Sequence, residues 1–436
     1  MEVKAFKAFR FDPKVVGDVG KCIAPPFDVI STSQQQQLYE KSEYNIVRIT
    51  KGKTTASDND NHNQYTRAAD YLNRWTKTSA LRQDPDEIIY AYVQDFQLAG
   101  TDFQRLSFIA LARLEEFGKT VRPHEQVFDE PMIDRLNLNR ATAARFGLVS
   151  MLFEDQQKIA DQVIDNIVRQ NPLVDCVNDQ NIRHRLFAIT AKADIDAIAK
   201  MMSDKSCIIA DGHHRYMTGL TYSKENANPA AKYQMLAFTN ICQEGLKLLA
   251  THRLVRNLEN FNIEKLITSL KEDFEIAEFP FDSPSAKADA KQRMLAQMKA
   301  EYNNDRNAFG IYAGNNAFYV AVLRDKQAMD LVAPNYSDAW KSLDVSALHK
   351  LILEKLLGID GQKLAKSQNL EYVKDTPNAI DDSISWIDAG QKQVLFLMNP
   401  VKMQQLKMIT SAGEKMPQKS TYFYPKMYTG LVIQKL

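Results

Sequence analysis

The sequence predicts an α+β protein with a mixed sheet at the core of a first domain, residues 1–257, and a second α and β domain over 258–436. Three observations carry that expectation. Strand-length apolar runs are interleaved with helical stretches of 3.6-residue period. Two alternating runs flank Ala99-Gly100-Thr101-Asp102, the pattern of a hairpin. Beyond about residue 257 the pattern changes to a second set of helices and strands, and 436 residues are enough for two or three domains.

In order, a short strand is expected around Val3 to Arg10, followed by the loop Ala24-Pro25-Pro26-Phe27-Asp28-Val29-Ile30-Ser31. Pro-Pro fixes an extended approach, and Ser31 or Ser33 can cap a helix from Ser33 to Glu40. Asn45 to Ile49 reads as a strand, and the polar stretch Lys51 to His62 as a flexible loop. A helix follows from Gln64 to Thr78, with Tyr65, Ala68, Leu72 and Trp75 on one face. The hairpin strands run from Ile88 to Gln97 and from Gln104 to Glu115. After Val121-Arg122-Pro123-His124-Glu125-Gln126 come a charged helix, Met132 to Arg145, and a strand, Phe146 to Phe153.

Further on, helices Gln156 to Gln170 and Asp194 to Met202 bracket a strand at Arg185 to Ile189, and Ser206 to Ala210, Gln234 to Ile241 and Leu246 to Thr251 read as strands. In the second domain the expected helices are Asn262 to Phe274, Ser285 to Tyr302, Val345 to Leu357 and Val401 to Ser411. The expected strands are Ala308 to Tyr312, Ala317 to Leu323, Val394 to Met398 and Gly430 to Gln434.

With 55 basic and 54 acidic residues the chain lacks the basic excess of a nucleic-acid partner. No run of about 18 apolar residues appears and the amino terminus has no apolar signal core, so the expectation is a cytoplasmic protein without a membrane partner. Cys22, Cys176, Cys207 and Cys242 show no Cys-x-x-Cys spacing and read as buried small apolar residues. The oligomeric state is not set by any of these features.

The most informative stretch is Asp211-Gly212-His213-His214-Arg215-Tyr216, which holds two of only seven histidines directly after an apolar strand. A strand, a glycine turn and a helix aim backbone amides and cationic side chains at one point, which is how a phosphate is held. Gly212 permits close approach, the histidines donate from their rings, and Arg215 offers a planar fork. Asp211 could orient a histidine or hold a metal, whereas an Asp-Gly turn with helix-capping histidines is the competing reading. Phosphoryl transfer to an alcohol also needs a carboxylate near the hydroxyl, and Glu125 in Pro123-His124-Glu125 is the candidate.

Taken together, Pro123-His124-Glu125, the following Arg135-Leu136 and Asp211 to Tyr216 resemble the core of ParB-like free-serine kinases, relatives of ParB proteins and sulfiredoxins. That resemblance implies a ParB/sulfiredoxin-like nucleotide-binding core with large insertions. It makes Glu125 the base for the serine hydroxyl, Asp211 a second catalytic candidate within the nucleotide site, and Gly212, His213, His214 and Arg215 the rest of that site. Almost the whole chain is also similar to a widespread bacterial family, domain-of-unknown-function ten-fifteen. The matching segments are Ala24 to Ser31, Pro123 to Glu125, Ala210 to Tyr216, Thr251-His252-Arg253-Leu254 and Met416 to Lys426. Two departures from the kinases stand out: Glu125 and Asp211 lie farther apart in sequence, and a long amino-terminal region precedes the match. Sulfiredoxins carry a reactive cysteine where this chain has His213, which argues against sulfinic acid reduction.

The function expected is therefore a kinase using ATP or ADP with magnesium to phosphorylate a small hydroxyl compound, free L-serine giving O-phosphoserine. His124, Arg48, Lys419, Ser420 and Thr421 are candidates for binding the substrate, and the last three, near a basic turn, suit an anion or simply form a solvated loop. The alternatives are a nucleotide-binding regulator of the ParB type and a metal-dependent phosphohydrolase using Asp211, His213 and His214.

Overall fold

A computed structural model describes residues 1–127, 129–361, 363 and 368–436. The chain forms two units, Met1–Lys247 with Pro425–Leu436, and Leu248–Tyr424. Residue 257, where the sequence pattern changes, lies inside the second unit, because Thr251–Val255 pairs with Leu370–Lys374 and Val394–Leu397. The return of Pro425–Leu436 to the first unit is a long-range pairing that no local pattern encodes.

The first unit is built on a nine-stranded sheet. Its strands are β1 Val3–Lys4, β2 Ile89–Leu98, β3 Thr101–Arg113, β4 Val121–Arg122, β5 Val149–Phe153, β6 Val174–Val177, β7 Arg183–Ile189, β8 Cys207–Asp211 and β9 Tyr233–Asn240. The order is β4-β8-β5-β9-β3-β2-β7-β6, with β1 on β3. The sheet is mixed: β4 runs parallel to β8 and β5 parallel to β9, and the other pairs are antiparallel. The hairpin β2–β3 turns through Ala99 and Gly100, both at positive φ as a tight two-residue connection demands.

Alternation along β2 sorts its side chains onto two faces. Ile89, Ala91 and Val93 join Phe108 and Phe187 under the helices Ile159–Ile167 and Lys192–Met202, through Ile164, Ile198 and Met202. Tyr90 and Tyr92 face the other way, with Leu186 and Met235, and the returning tail covers them with Met427, Tyr428, Leu431 and Val432. A third cluster gathers Trp75 and Leu72 of the helix Gln64–Lys77 with Ile46, Val47 and Phe146. That helix starts at a capping box in which the Asn63 side chain accepts from Tyr65 and Thr66 amides at 2.9 and 3.1 Å.

The strand expected at Asn45 to Ile49 is instead a helical turn, Val47–Thr50. Asn45 is fully buried, donates to the Lys21 and Ile23 carbonyls at 2.8 and 3.2 Å, and accepts the Val47 amide at 3.0 Å. This local bonding starts a turn and overrides the strand preference of Val47 and Ile49. Ser31 caps the helix Thr32–Lys41 by accepting the Gln34 amide at 3.2 Å.

The second unit has a six-stranded antiparallel sheet of β10 Thr251–Val255, β11 Phe274–Pro280, β12 Ala308–Tyr312, β13 Ala317–Leu323, β14 Leu370–Lys374 and β15 Val394–Leu397. Its order is β11-β13-β12-β15-β10-β14. The helices Pro284–Asn303 and Ala379–Asp388 cover one face, packing Met294, Met298, Ile384 and Ile387 on Tyr312, Phe318 and Leu395. The helix expected to reach Phe274 stops at Leu270, and Phe274 opens β11. Among the described residues no helix is long and apolar enough to cross a membrane.

Gly310, on the central strand β12, marks where a helix crosses the sheet. A Cβ there would lie 2.7 Å from Met298 Sδ and 3.0 Å from Leu397 Cβ. Gly310→Ala should cost the second unit about 1–3 kcal/mol by overpacking, and a urea denaturation midpoint equal to that of the parent chain would contradict this.

Candidate active site

Parallel pairing of β4 with β8 builds the site. Val121 pairs with Cys207 and Arg122 with Ile208, so the residues that leave β4, Pro123-His124-Glu125, run beside the end of β8. Both strands finish at the same edge, where parallel strands generally present their ligand-binding residues. There β8 ends at Asp211, Gly212 turns at φ 94°, and the helix His213–Glu225 begins. Gly212 is required twice over: L side chains rarely adopt that φ, and a Cβ would sit 2.9 Å from Arg215 Cζ. No side chain caps this helix start, so its amide dipoles face outward from the turn.

Two motifs nearly ninety residues apart meet here. His213 Nε2 accepts the His124 backbone amide at 3.2 Å. The neutral ring therefore carries its proton on Nδ1, which lies 3.8 Å from Glu125 Oε2. The rings of His124 and His213 stand edge to face at 4.7 Å, and His124 Nδ1 donates to the Ile209 carbonyl at 2.7 Å. His213 is 3% exposed and His124 fully buried. Burial, then the neighbouring His124, pushes the His213 pKa well below the ordinary 6.5 against the pull of Asp211. Burial also lowers His124, with Glu125 opposing. Both rings are neutral, so His213 offers a hydrogen bond here and not the positive charge expected of it.

Asp211 is the opposite case. Burial disfavours its charge, but Lys426 and Arg215 outweigh that and hold the carboxyl far below the usual carboxylate range. Lys426 Nζ donates to Oδ1 and the Arg215 guanidinium to Oδ2. Arg215 also donates to the Leu148 carbonyl, and its stem packs against Gly147, where a Cβ would lie 3.1 Å from Arg215 Cδ. On its other side Arg215 borders a cavity of about 40 Å³ shared with Phe27, Arg135 and Arg145. Two cations serve one carboxylate, which leaves positive charge at the helix start while Glu125 stands at its side.

The family described as "Protein of unknown function (DUF1015)" matches residues 3–346, most of the chain. The chain belongs to the DUF1015 family. No curated protein matches it. Among solved structures, a mutant of a free serine kinase in complex with AMP aligns with 72% of this DUF1015 chain and 87% of its own, at 11% identity and a TM-score of 0.36. A conserved hypothetical protein from Pyrococcus furiosus aligns over 73% and 92%, at 13% identity and a TM-score of 0.34. SbnI with a C-terminal truncation from Staphylococcus aureus aligns over 75% and 87%, at 8% identity and a TM-score of 0.34.

Other candidate residues of this DUF1015 protein have local partners of their own. Arg48 donates to the Tyr39 carbonyl at 2.6 Å and lies 4.5 Å over the Tyr39 ring, closing the end of the helix Thr32–Lys41. Lys419, Ser420 and Thr421 belong to the second unit, where Ser420 is buried and donates to the Pro417 carbonyl. Sequence reasoning missed Lys426 as a site residue. Its one signal was its place at the end of the matching segment Met416 to Lys426.

The neutral histidines tie stability to pH. Their folded pKa values lie below the ordinary 6.5, so the unfolded chain binds the extra protons. Stability is complete above that value and is lost as pH falls below it toward the folded values. His184, pushed down to about 3 by burial, adds to the same slope. The urea midpoint should therefore drop between about pH 6.5 and 5, and His213→Gln should make the drop shallower; identical slopes in the two proteins would refute the assignment.

Proposed function

We propose that this DUF1015 protein is a kinase that transfers a phosphoryl group from ATP or ADP to the hydroxyl of a small acceptor, free L-serine, to give O-phosphoserine. The observation that supports this reading is the convergence of Glu125 on His213 at the uncapped start of the helix that follows Gly212. Phosphoryl transfer asks for a cradle of positive potential and a carboxylate beside the nucleophile, and Glu125 stands 3.8 Å from His213, the first residue of that helix.

In the proposed reaction the amides of the helix start, with His214, hold the nucleotide phosphates. Arg215 and Lys426 act through Asp211, fixing the strand-to-helix turn and setting a positive field around it. The acceptor hydroxyl lies against Glu125, its oxygen attacks the terminal phosphorus as the bond to the leaving nucleotide oxygen breaks, and its proton passes to the Glu125 carboxylate. His213 turns its Nδ1–H dipole toward Glu125 at 3.8 Å while its other nitrogen accepts the His124 amide.

Magnesium neutralises phosphate charge in such transfers. Both Asp211 oxygens are engaged by cations, and among the described residues no group of three or more His, Cys, Asp or Glu side chains is placed to hold a metal. The donor set thus suits an ion carried in on the nucleotide. The same engagement disfavours the phosphohydrolase reading, which needs Asp211, His213 and His214 on one ion.

The test is incubation of the purified chain with magnesium, ATP or ADP and L-serine, with products read by mass spectrometry. O-phosphoserine should form, and Glu125→Gln should slow it by about 10²–10⁴-fold while nucleotide affinity holds. An unchanged rate in that variant removes Glu125 as the base, and nucleotide binding without any phosphorylated product favours the regulator.

A further inference from the structure

The second unit holds a cavity of about 320 Å³, the size of a small-metabolite site, and the proposed phosphoryl transfer makes no use of it. One of its walls is Arg253, 1% exposed, on β10. Its guanidinium donates to the Thr251 carbonyl and, at 3.4 and 3.2 Å, to the carbonyls of Gln418 and Lys419; its Nε has no partner. Burial lowers its pKa to about 10, which leaves it charged at neutral pH. Among the described residues no carboxylate pairs with it. Arg145 of the first unit, whose Nε likewise has no partner, is met by more and mostly shorter contacts, three carbonyls at 2.7, 3.2 and 2.8 Å and the Gln234 side-chain oxygen at 3.5 Å. Arg253 has a weaker set, and a buried cation so poorly compensated is costly unless an anion joins it.

The same cavity is lined by a hydrogen-bonding group of another kind. Asp344 accepts from Asn307 at 2.7 Å and from Asn399 at 3.5 Å, and burial raises its pKa to about 7. Asn307 Oδ1 is buried without a partner. Lys402, also on the wall, is already committed to Asp305 at 2.5 Å and to the Tyr302 carbonyl at 2.6 Å.

We propose that this cavity binds a small metabolite with an oxyanion head, carboxylate or phosphate, held by Arg253, and a polar body hydrogen-bonded by Asn307, Asn399 and Asp344. Three of the five guanidinium donors are engaged by carbonyls, which leaves donor capacity for an oxygen of either head. The site is independent of the kinase reading: it belongs to the unit that carries neither Glu125 nor the glycine-histidine turn.

Calorimetric titration of the full chain with inorganic phosphate and, separately, with succinate tests it. Saturable binding is expected for one or both, and which probe binds tells phosphate from carboxylate. Arg253→Met should weaken binding by at least about tenfold. So should Gln404→Trp, which fills the cavity from an exposed position and decides the matter if the buried substitution unfolds the unit. His214→Ala, in the first unit, should leave this binding unchanged. No saturable binding of either anion up to about 10 mM overturns the proposal, as does binding that survives Gln404→Trp and disappears in His214→Ala. That last result would place the anion at the proposed kinase site and leave the kinase reading standing.

Discussion

The ionised carboxylate of Asp211 is the constraint on which the first unit's candidate site depends. It is the last residue of β8, Arg215 lies one helical turn later, and Lys426 arrives on the segment that returns from the far end of the chain. Burial disfavours the charge on this carboxylate, Arg215 and Lys426 hold it ionised, and it in turn offsets their positive charge. Each group is tolerable only because the others are present, so strand end, helix start and tail hold one arrangement. The returning tail then does two jobs, supplying Lys426 and covering the Tyr90 and Tyr92 face of the sheet.

Neutral histidines follow from the same electrostatics. With Arg215 and Lys426 close by, a protonated His213 would add a third positive charge in a buried space, and His124 would compete with it. The backbone amide of His124 settles which nitrogen bears the proton, and that nitrogen faces Glu125. The proposed base is thereby oriented by a dipole that does not titrate near neutrality. Glu125 itself stays partly open, its side chain 29% exposed, and so remains within reach of a small acceptor.

Local chemistry was legible and long-range pairing was not. The positive-φ turn at Ala99-Gly100, the face of Leu72 and Trp75, and the strand-glycine-helix order through Gly212 all follow from periodicity and turn residues, and they appear close to where the sequence places them. Asn45 to Ile49 misleads because its β-branched residues suit a strand, while the information that matters is the pair of carbonyls that Asn45 meets more than twenty residues earlier in the chain. The edge strands Val174–Val177 and Leu370–Lys374 are short and interrupted at the second residue by an acid, so neither shows the apolar run that marks a strand. The convergence of Glu125 with His213 was hinted at by motif resemblance, but its physical cause, β4 lying parallel to β8, rests on only two paired residues. Lys426 offered no local signal, since a single lysine near a tail acquires meaning only from the carboxylate it reaches.

Among the described residues three buried arginines have no carboxylate partner, Arg105, Arg145 and Arg253, and burial lowers each to about 10. All remain charged at neutral pH, so the fold meets the desolvation cost with backbone carbonyls and amide oxygens, whose dipoles point without carrying net charge. Such a solution suits a guanidinium because its donors are fixed in one plane and can be matched by oxygens from several segments at once. Arg105 joins Gln94 to the Pro425 carbonyl, and Arg145 gathers carbonyls from Gly219, Ala231 and Tyr233. Both read as internal braces that hold segments together. Arg253 is held by one close and two longer carbonyl contacts and lines the larger cavity, so the same device that braces the first unit leaves in the second a cation at a cavity wall where an anion can join it.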